Sequence, residues 1–441
     1  MNVTKSQCPY CGVGCGLKMR PKNSVSDDKW LVSGDRDTPS TLGKLCVKGA
    51  TVCETLKDGR LKEPLYRKNL NEEFKKISWD ESYEILKENI LSSIKNYGPD
   101  SIAMYGSGQF HTEDYYIAQK LLKGAIGTNN FDANSRLCMS SAVAGYNRSF
   151  GSDGPPCCYE DIDHCSSIFL IGTNTAECHP VLFDRIKKRK RNVNDNLKVI
   201  VIDPRETETA SIADFYLQIA SGTDLFLFIG IANYLFNNKL TEQNFIEKST
   251  ENYDHFVKHI QKWDLKKISE ICNISKQEII DIAKLWGESK NVLSLWSMGL
   301  NQRQEGTAAV NGLINLHLMT GQVGKKGAGP FSLTGQPNAM GGREAGGLSH
   351  LLPGYRFIKN KIDRNEIEKI WGFPIGKISE KQGLSAWEQI EAINEGTLKI
   401  WWIAATNPLV SMPNLNFVKK ALSKCPLIIL NESYEQSESI K

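Results

Sequence analysis

The chain has 441 residues, of which 40% are hydrophobic and 24% charged, with a formal net charge of +4. That length exceeds one ordinary core and implies about two to four domains, while the apolar content excludes intrinsic disorder. Charges of both signs occur throughout, which points to no nucleic-acid partner.

Met1 to Gln7 is short and polar, with no secretory or twin-arginine pattern. The longest apolar run, residues 225–236, is too short to cross a bilayer, so no membrane span and a cytoplasmic location are expected. Twelve cysteines in a reducing compartment read as ligands or buried thiols rather than disulfides. Cys8, Cys11, Cys15 and Cys46 form a C-x2-C-x3-C run followed, after a thirty-residue gap, by C-x-K-G. Four thiolates on a short coil suit a 4Fe–4S cluster, and Gly12, Gly14 and Gly16 let the backbone fold around sulfur. Zinc and a disulfide pair are the alternatives. Residues 1–60 therefore read as a small cluster-binding domain.

An α/β pattern follows. Residues 101–108 read as a buried strand and residues 113–126 as a helix. Residues 167–173 (SIFLIGT) form a strand, 179–191 a helix opened by Pro180, and 198–203 (KVIVID) the next strand. This βαβ unit is a common nucleotide-binding arrangement. Helices are expected at 224–237 and 275–286, the second with a Ser275/Glu278 capping box, and a strand at 291–298. Residues 321–347 are glycine-rich and read as a long functional loop. A last α/β unit spans strand 398–406, helix 414–424 and strand 426–431. The basic run 185–191 (RIKKRKR) reads as the solvated end of a helix beside an anionic cofactor. Cys53, Cys157, Cys158, Cys165, Cys178, Cys272 and Cys425 read as structural thiols.

The cysteine motif, the C-x-K-G ending, the SRLC segment at 135–138 and the IGTNTAECHP loop at 171–180 occur in this order. Together they resemble the molybdopterin oxidoreductase family. The resemblance implies a molybdenum bis(molybdopterin guanine dinucleotide) cofactor, with Cys138 as the protein's ligand to molybdenum. A soft thiolate suits such a metal. Met139 replaces the histidine usual in the family's formate dehydrogenases, and CMSSAVAGY is similar to its nitrate reductases. Gln336 and Arg343 would flank the substrate, where a guanidinium suits a planar anion. A purely structural Arg343 is the competing reading. Lys48 would couple cluster and pterin, or be a surface lysine. Gly172, Asn174, Glu177, His179, Asp203, Thr406, Asn407, Pro408 and Glu432 follow strands and would contact the two dinucleotides.

The implied architecture is α/β: the iron–sulfur domain, then two Rossmann-like domains. One would comprise 61–135 plus 345–441, and the other would be inserted as 136–344. Family catalytic chains are longer, so a C-terminal cofactor-closing domain is expected to be absent and the chain to be a fragment or half of a split enzyme. Exposed apolar surface would mark the docking face. The implied reaction is nitrate reduction to nitrite, with electrons from ferredoxin, flavodoxin or an NADH-linked reductase. A formate dehydrogenase subunit and an inactive iron–sulfur remnant are the alternatives.

Overall fold

The computed structural model describes residues 3–22, 30–56, 59–192 and 194–440. Near the N-terminus, strands Thr4–Gln7, Gly16–Pro21 and Trp30–Gly34 form an antiparallel sheet in that order. The cysteine loop joins the first two strands, and Cys46 precedes the short helix Val47–Ala50.

Two parallel sheets make up the rest of the framework. The larger runs, in space, Phe215–Leu217, Lys198–Ile202, Ser167–Ile171, Val292–Trp296 and Gly329–Ser332. The chain reverses its direction of travel across this sheet between Ser167–Ile171 and Val292–Trp296. The second sheet runs Leu427–Asn431, Ile400–Ala404, Ile102–Gly106 and Phe131–Ala133. In sequence, all strands of the larger sheet lie between residues 133 and 400.

Both faces of the larger sheet are covered, which explains its unbroken apolar strands. Phe169, Ile171, Ile200, Ile202 and Trp296 pack into the largest core, with helices Asp224–Asn237, Lys276–Glu288 and Gly306–Met319. Their neighbours Ile168, Leu170, Val199, Val201 and Leu295 face a second cluster. That cluster holds helix Pro180–Arg191 and also Cys8, Val13, Cys15 and Leu17 of the N-terminal domain. The period-two alternation of the strands thus places the cysteine domain on one face and the main core on the other.

Local chemistry sets the helix starts. Pro180 occupies the first turn of its helix, and Ser275 and Glu278 exchange side-chain-to-backbone hydrogen bonds of 3.2 and 2.7 Å in a capping box.

Three expectations need correction. The 321–347 segment contains a strand, Gly329–Ser332, and a short helix, Ala339–Glu344. The 113–126 helix is α-helical over Thr112–Gln119 and then widens into a π turn over Lys120–Ile126. The basic run lies at the end of its helix remote from the strand C-termini, where a cofactor would sit. There Arg185 pairs with Asp163, Arg189 with Asp195 and Lys190 with Asp214.

The parallel strands deliver their following loops to common edges. Gly172, just past Ser167–Ile171, has φ +53° and accepts a hydrogen bond from Gly299 N–H at 3.0 Å. A Cβ there would stand 2.8 Å from the backbone of Gly299 and Leu300. Gly151 has φ +76° but nothing within 4 Å. Gly151→Ala should therefore cost only the left-handed backbone penalty, about 1–2 kcal/mol. Gly172→Ala should cost more, measured as the shift in urea midpoint, and equal losses would show that the strand junction relaxes freely.

Candidate functional site

Cys8 and Cys15 are buried, Cys11 and Cys46 partly exposed, and all four are free thiols. Cys8 N–H donates to the Cys15 carbonyl at 2.8 Å, which closes the loop. Burial pushes the Cys15 thiol up to about 12, reinforced by charge on Cys8, Cys11 and Cys46. Burial also raises Cys8 and Cys11, again with Cys46 acting in the same direction. Four thiols that repel one another in a partly dry pocket ionise together only around a cation, which an iron–sulfur cluster supplies. Among the described residues no three His, Cys, Asp or Glu side chains converge to hold a single metal ion. Lys48 is exposed, and its charge reaches Cys8, Cys11 and His179.

The glycines of this loop do different jobs. Gly14 has φ +62°, as the motif suggested. Gly12 is needed for close approach, since a Cβ would lie 1.9 Å from the Thr334 carbonyl oxygen. Its N–H donates to Gly335 O at 3.0 Å, and Tyr159 Oη donates to its carbonyl at 2.8 Å.

Cys138 lies in the first turn of helix Ser135–Phe150. Burial raises its thiol, while the Gly335 N–H and the Arg343 charge pull it back. Asn301 Nδ2 donates to the Cys138 carbonyl at 2.8 Å. Gln336 Nε2 donates to Asn134 Oδ1 at 2.7 Å, and Asn134 Nδ2 donates to Thr406 Oγ1 at 3.3 Å. Asn134 immediately precedes the Cys138 helix, so these contacts bring Thr406 of the second sheet and Gln336 to one place. His179 is fully buried and its Nε2 meets Thr334 O at 2.9 Å. Arg343 is buried against Asp153, its Nε donating to Asp153 Oδ2.

Five buried side-chain atoms around this point lack partners: Arg343 Nη1, Asp153 Oδ1, Gln336 Oε1, Asn301 Oδ1 and His179 Nδ1. Such groups are costly unless a polar ligand meets them. The donors and acceptors present fit a large polar cofactor beside Cys138 and an anion beside Arg343.

The other expected contacts lie outside this group. Met139 is 1% exposed and packs in the main core. Asn174 bonds to Glu177 at 2.7 Å and to Thr209 at 3.1 Å. Asp203 accepts from Arg205 N–H in its own turn at 2.9 Å. Asn407 donates to Glu438 at 2.8 Å, Pro408 starts a short helix, and Glu432 accepts from Ser433 N–H at 2.7 Å. Sequence reasoning missed Asn134, Asp153 and Asn301. Asn134 carried a usable signal, as an asparagine at the start of the Cys138 helix.

Comparison with known proteins fits this geometry. The family model described as molybdopterin oxidoreductase matches residues 60–439, and that of its Fe4S4 domain matches residues 1–58. A nitrate reductase of Synechocystis sp. is 51% identical, covering 99% of this chain and 62% of that protein. The periplasmic nitrate reductase of Desulfovibrio desulfuricans is 42% identical over 95% of this chain and 56% of its own length. The assimilatory nitrate reductase catalytic subunit of Bacillus subtilis is 36% identical over 96% of this chain and 59% of its own. The chain thus spans about three fifths of these relatives. Acetylene hydratase from Pelobacter acetylenicus shares the fold at TM-score 0.77 and 19% identity, over 98% of this chain and 61% of that one.

The Arg343–Asp153 pair gives a direct test. Asp153→Asn leaves a buried guanidinium without its counter-charge, and should lower stability by about 3 kcal/mol in chemical denaturation. Adding Arg343→Met to that variant should recover part of the loss. A double variant no better than the single one would show that the pair is not coupled.

Proposed function

Since the chain belongs to the molybdopterin oxidoreductase family, we propose that it reduces nitrate to nitrite at a molybdenum centre, with electrons entering through a 4Fe–4S cluster. The observation that carries this reading is the Cys138–Arg343 juxtaposition: a soft metal ligand within electrostatic reach of a buried guanidinium that keeps one free N–H. The 36–51% identity to nitrate reductases over nearly the whole chain supports the choice of anion.

Cys8, Cys11, Cys15 and Cys46 would hold the cluster, and Lys48 would help couple it to the pterin. Residues 136–344 would form one dinucleotide-binding domain, inserted in a second made of 61–135 and 345–441. The reversal of strand order between Ser167–Ile171 and Val292–Trp296 supports a ligand at that crevice, beside Gly172 and His179. Asn174, Glu177 and Asp203 on that side, and Asn407, Pro408 and Glu432 on the other, would meet the outer ends of two guanine dinucleotides. When bound, the molybdenum cofactor supplies two-electron oxygen-atom transfer, and the cluster supplies single electrons.

The balance is nitrate plus two protons and two electrons giving nitrite and water. Arg343 binds and orients nitrate through its charge and free Nη1–H, and Gln336 offers a further polar contact. Asp153 fixes the guanidinium. Met139 follows the proposed metal ligand in the helix and anchors that helix in the main core. No described helix is long and apolar enough to cross a membrane. We assign the chain to the cytoplasmic, assimilatory branch, with ferredoxin, flavodoxin or an NADH-linked reductase as donor.

Cys138→Ala in the cofactor-loaded protein should abolish dye-linked nitrate reduction, a loss of roughly 100-fold or more, while iron stays at about four atoms per chain. Arg343→Lys should raise KM for nitrate about tenfold, because ammonium lacks the fork geometry. Nitrate turnover that survives Cys138→Ala would refute the assignment.

A further inference from the structure

Lys123 is fully buried, yet among the described residues it forms no ion pair. Its Nζ instead donates to three backbone carbonyls: Gly346 at 2.8 Å, Leu348 at 2.9 Å and Leu351 at 2.6 Å. An ammonium has three N–H donors, so all are used. Burial pulls its ionisation down to about 7, opposed by the charge of Asp132. Keeping an unpaired cation inside a protein is expensive, and an apolar side chain would avoid the cost.

The three carbonyls share one feature. Gly346 and Leu348 sit in the turn directly after helix Ala339–Glu344, which carries Arg343, and Leu351 opens the two-residue strand Leu351–Leu352 into which that turn runs. That turn is bonded back to the helix: Gly346 N–H donates to Arg343 O at 3.1 Å, Gly347 N–H to Gly342 O at 2.6 Å, and Gly354 N–H to Glu344 O at 2.7 Å. The helix has only six residues, and its N-cap side chain makes no capping bond. Short helices are not stable by themselves, so something outside must hold this one. Lys123 reaches it from the π turn Lys120–Ile126, more than 200 residues earlier in the chain.

We propose that Lys123 is a positioning residue for the anion side of the site, pinning the turn that sets the place of Arg343. The substrate part of this proposal rests on the nitrate reading; the pinning itself does not.

The test compares Lys123→Met with the unmodified protein, full-length and cofactor-loaded, by hydrogen exchange with mass spectrometry and by steady-state kinetics. Amides in residues 342–354 should exchange about tenfold faster, with those of residues 167–202 unchanged. KM for nitrate should rise about fivefold, with kcat changed less than about twofold. Lys123→Gln keeps amide donors and should fall between the two, which provides a second variant if the methionine protein folds poorly. Unchanged exchange in 342–354 overturns the proposal, as does faster exchange throughout the chain. A fall in kcat with KM constant also overturns it. Should the unmodified protein not reduce nitrate at all, the substrate reading fails, while the exchange measurement still decides the role of Lys123.

Discussion

One glycine joins the two ends of the site. Gly335 accepts a hydrogen bond from Gly12 in the cysteine loop through its carbonyl, and its N–H rests on the Cys138 thiol. The cluster domain and the helix that carries Cys138 therefore share a single backbone contact. Such an approach requires bare backbone at position 12. A side chain at position 12 would overlap the Thr334 carbonyl. Everything around this contact follows from it: His179 packs on Thr334, Gln336 reaches Asn134, and Tyr159 ties down Gly12.

A glycine-rich segment cannot be held by side-chain packing, because it has few side chains to bury. Here it is held by polar pegs from elsewhere. Gly327 N–H donates to Asp161 Oδ1 at 2.7 Å, Ser332 N–H to Tyr146 Oη at 2.9 Å, and His179 Nε2 meets Thr334 O at 2.9 Å. A low-dielectric interior makes each of these bonds strong and each missing one costly. Order is thereby imposed on backbone that would otherwise fluctuate, which is what a site binding a small anion needs.

The sequence was legible where the physics is local. SIFLI and KVIVI read as strands because both faces of their sheet are buried. Pro180 and the Ser275/Glu278 box marked helix starts correctly, and the cysteine spacing announced its thiols. Legibility failed where partners are distant. Gly329–Ser332 is a four-residue edge strand containing a proline, inside a segment that otherwise looks like a loop. The π turn left no pattern, since one extra residue per turn has no compositional mark. Lys123 and Asp153 carry no local signal, because their partners lie about 190–230 residues away and only folding brings them together.

Asn134 shows what the arrangement costs. An asparagine before a helix normally turns its side chain onto the helix's own N–H groups, a bond whose loss costs about 1 kcal/mol. Here its backbone is already helical, at φ −64° and ψ −14°, and its side chain makes no such bond. Its oxygen instead accepts from Gly108 N–H at 2.9 Å and from Gln336, and its amide reaches Thr406. The helix that carries Cys138 thus gives up its cap so that one side chain can tie together the second sheet, the glycine-rich segment and the Cys138 turn. The uncapped N–H groups remain at the end of the helix where Cys138 stands, and their positive potential favours a thiolate there. A local loss of helix stability and a tie across three distant segments come from the same choice of hydrogen bond.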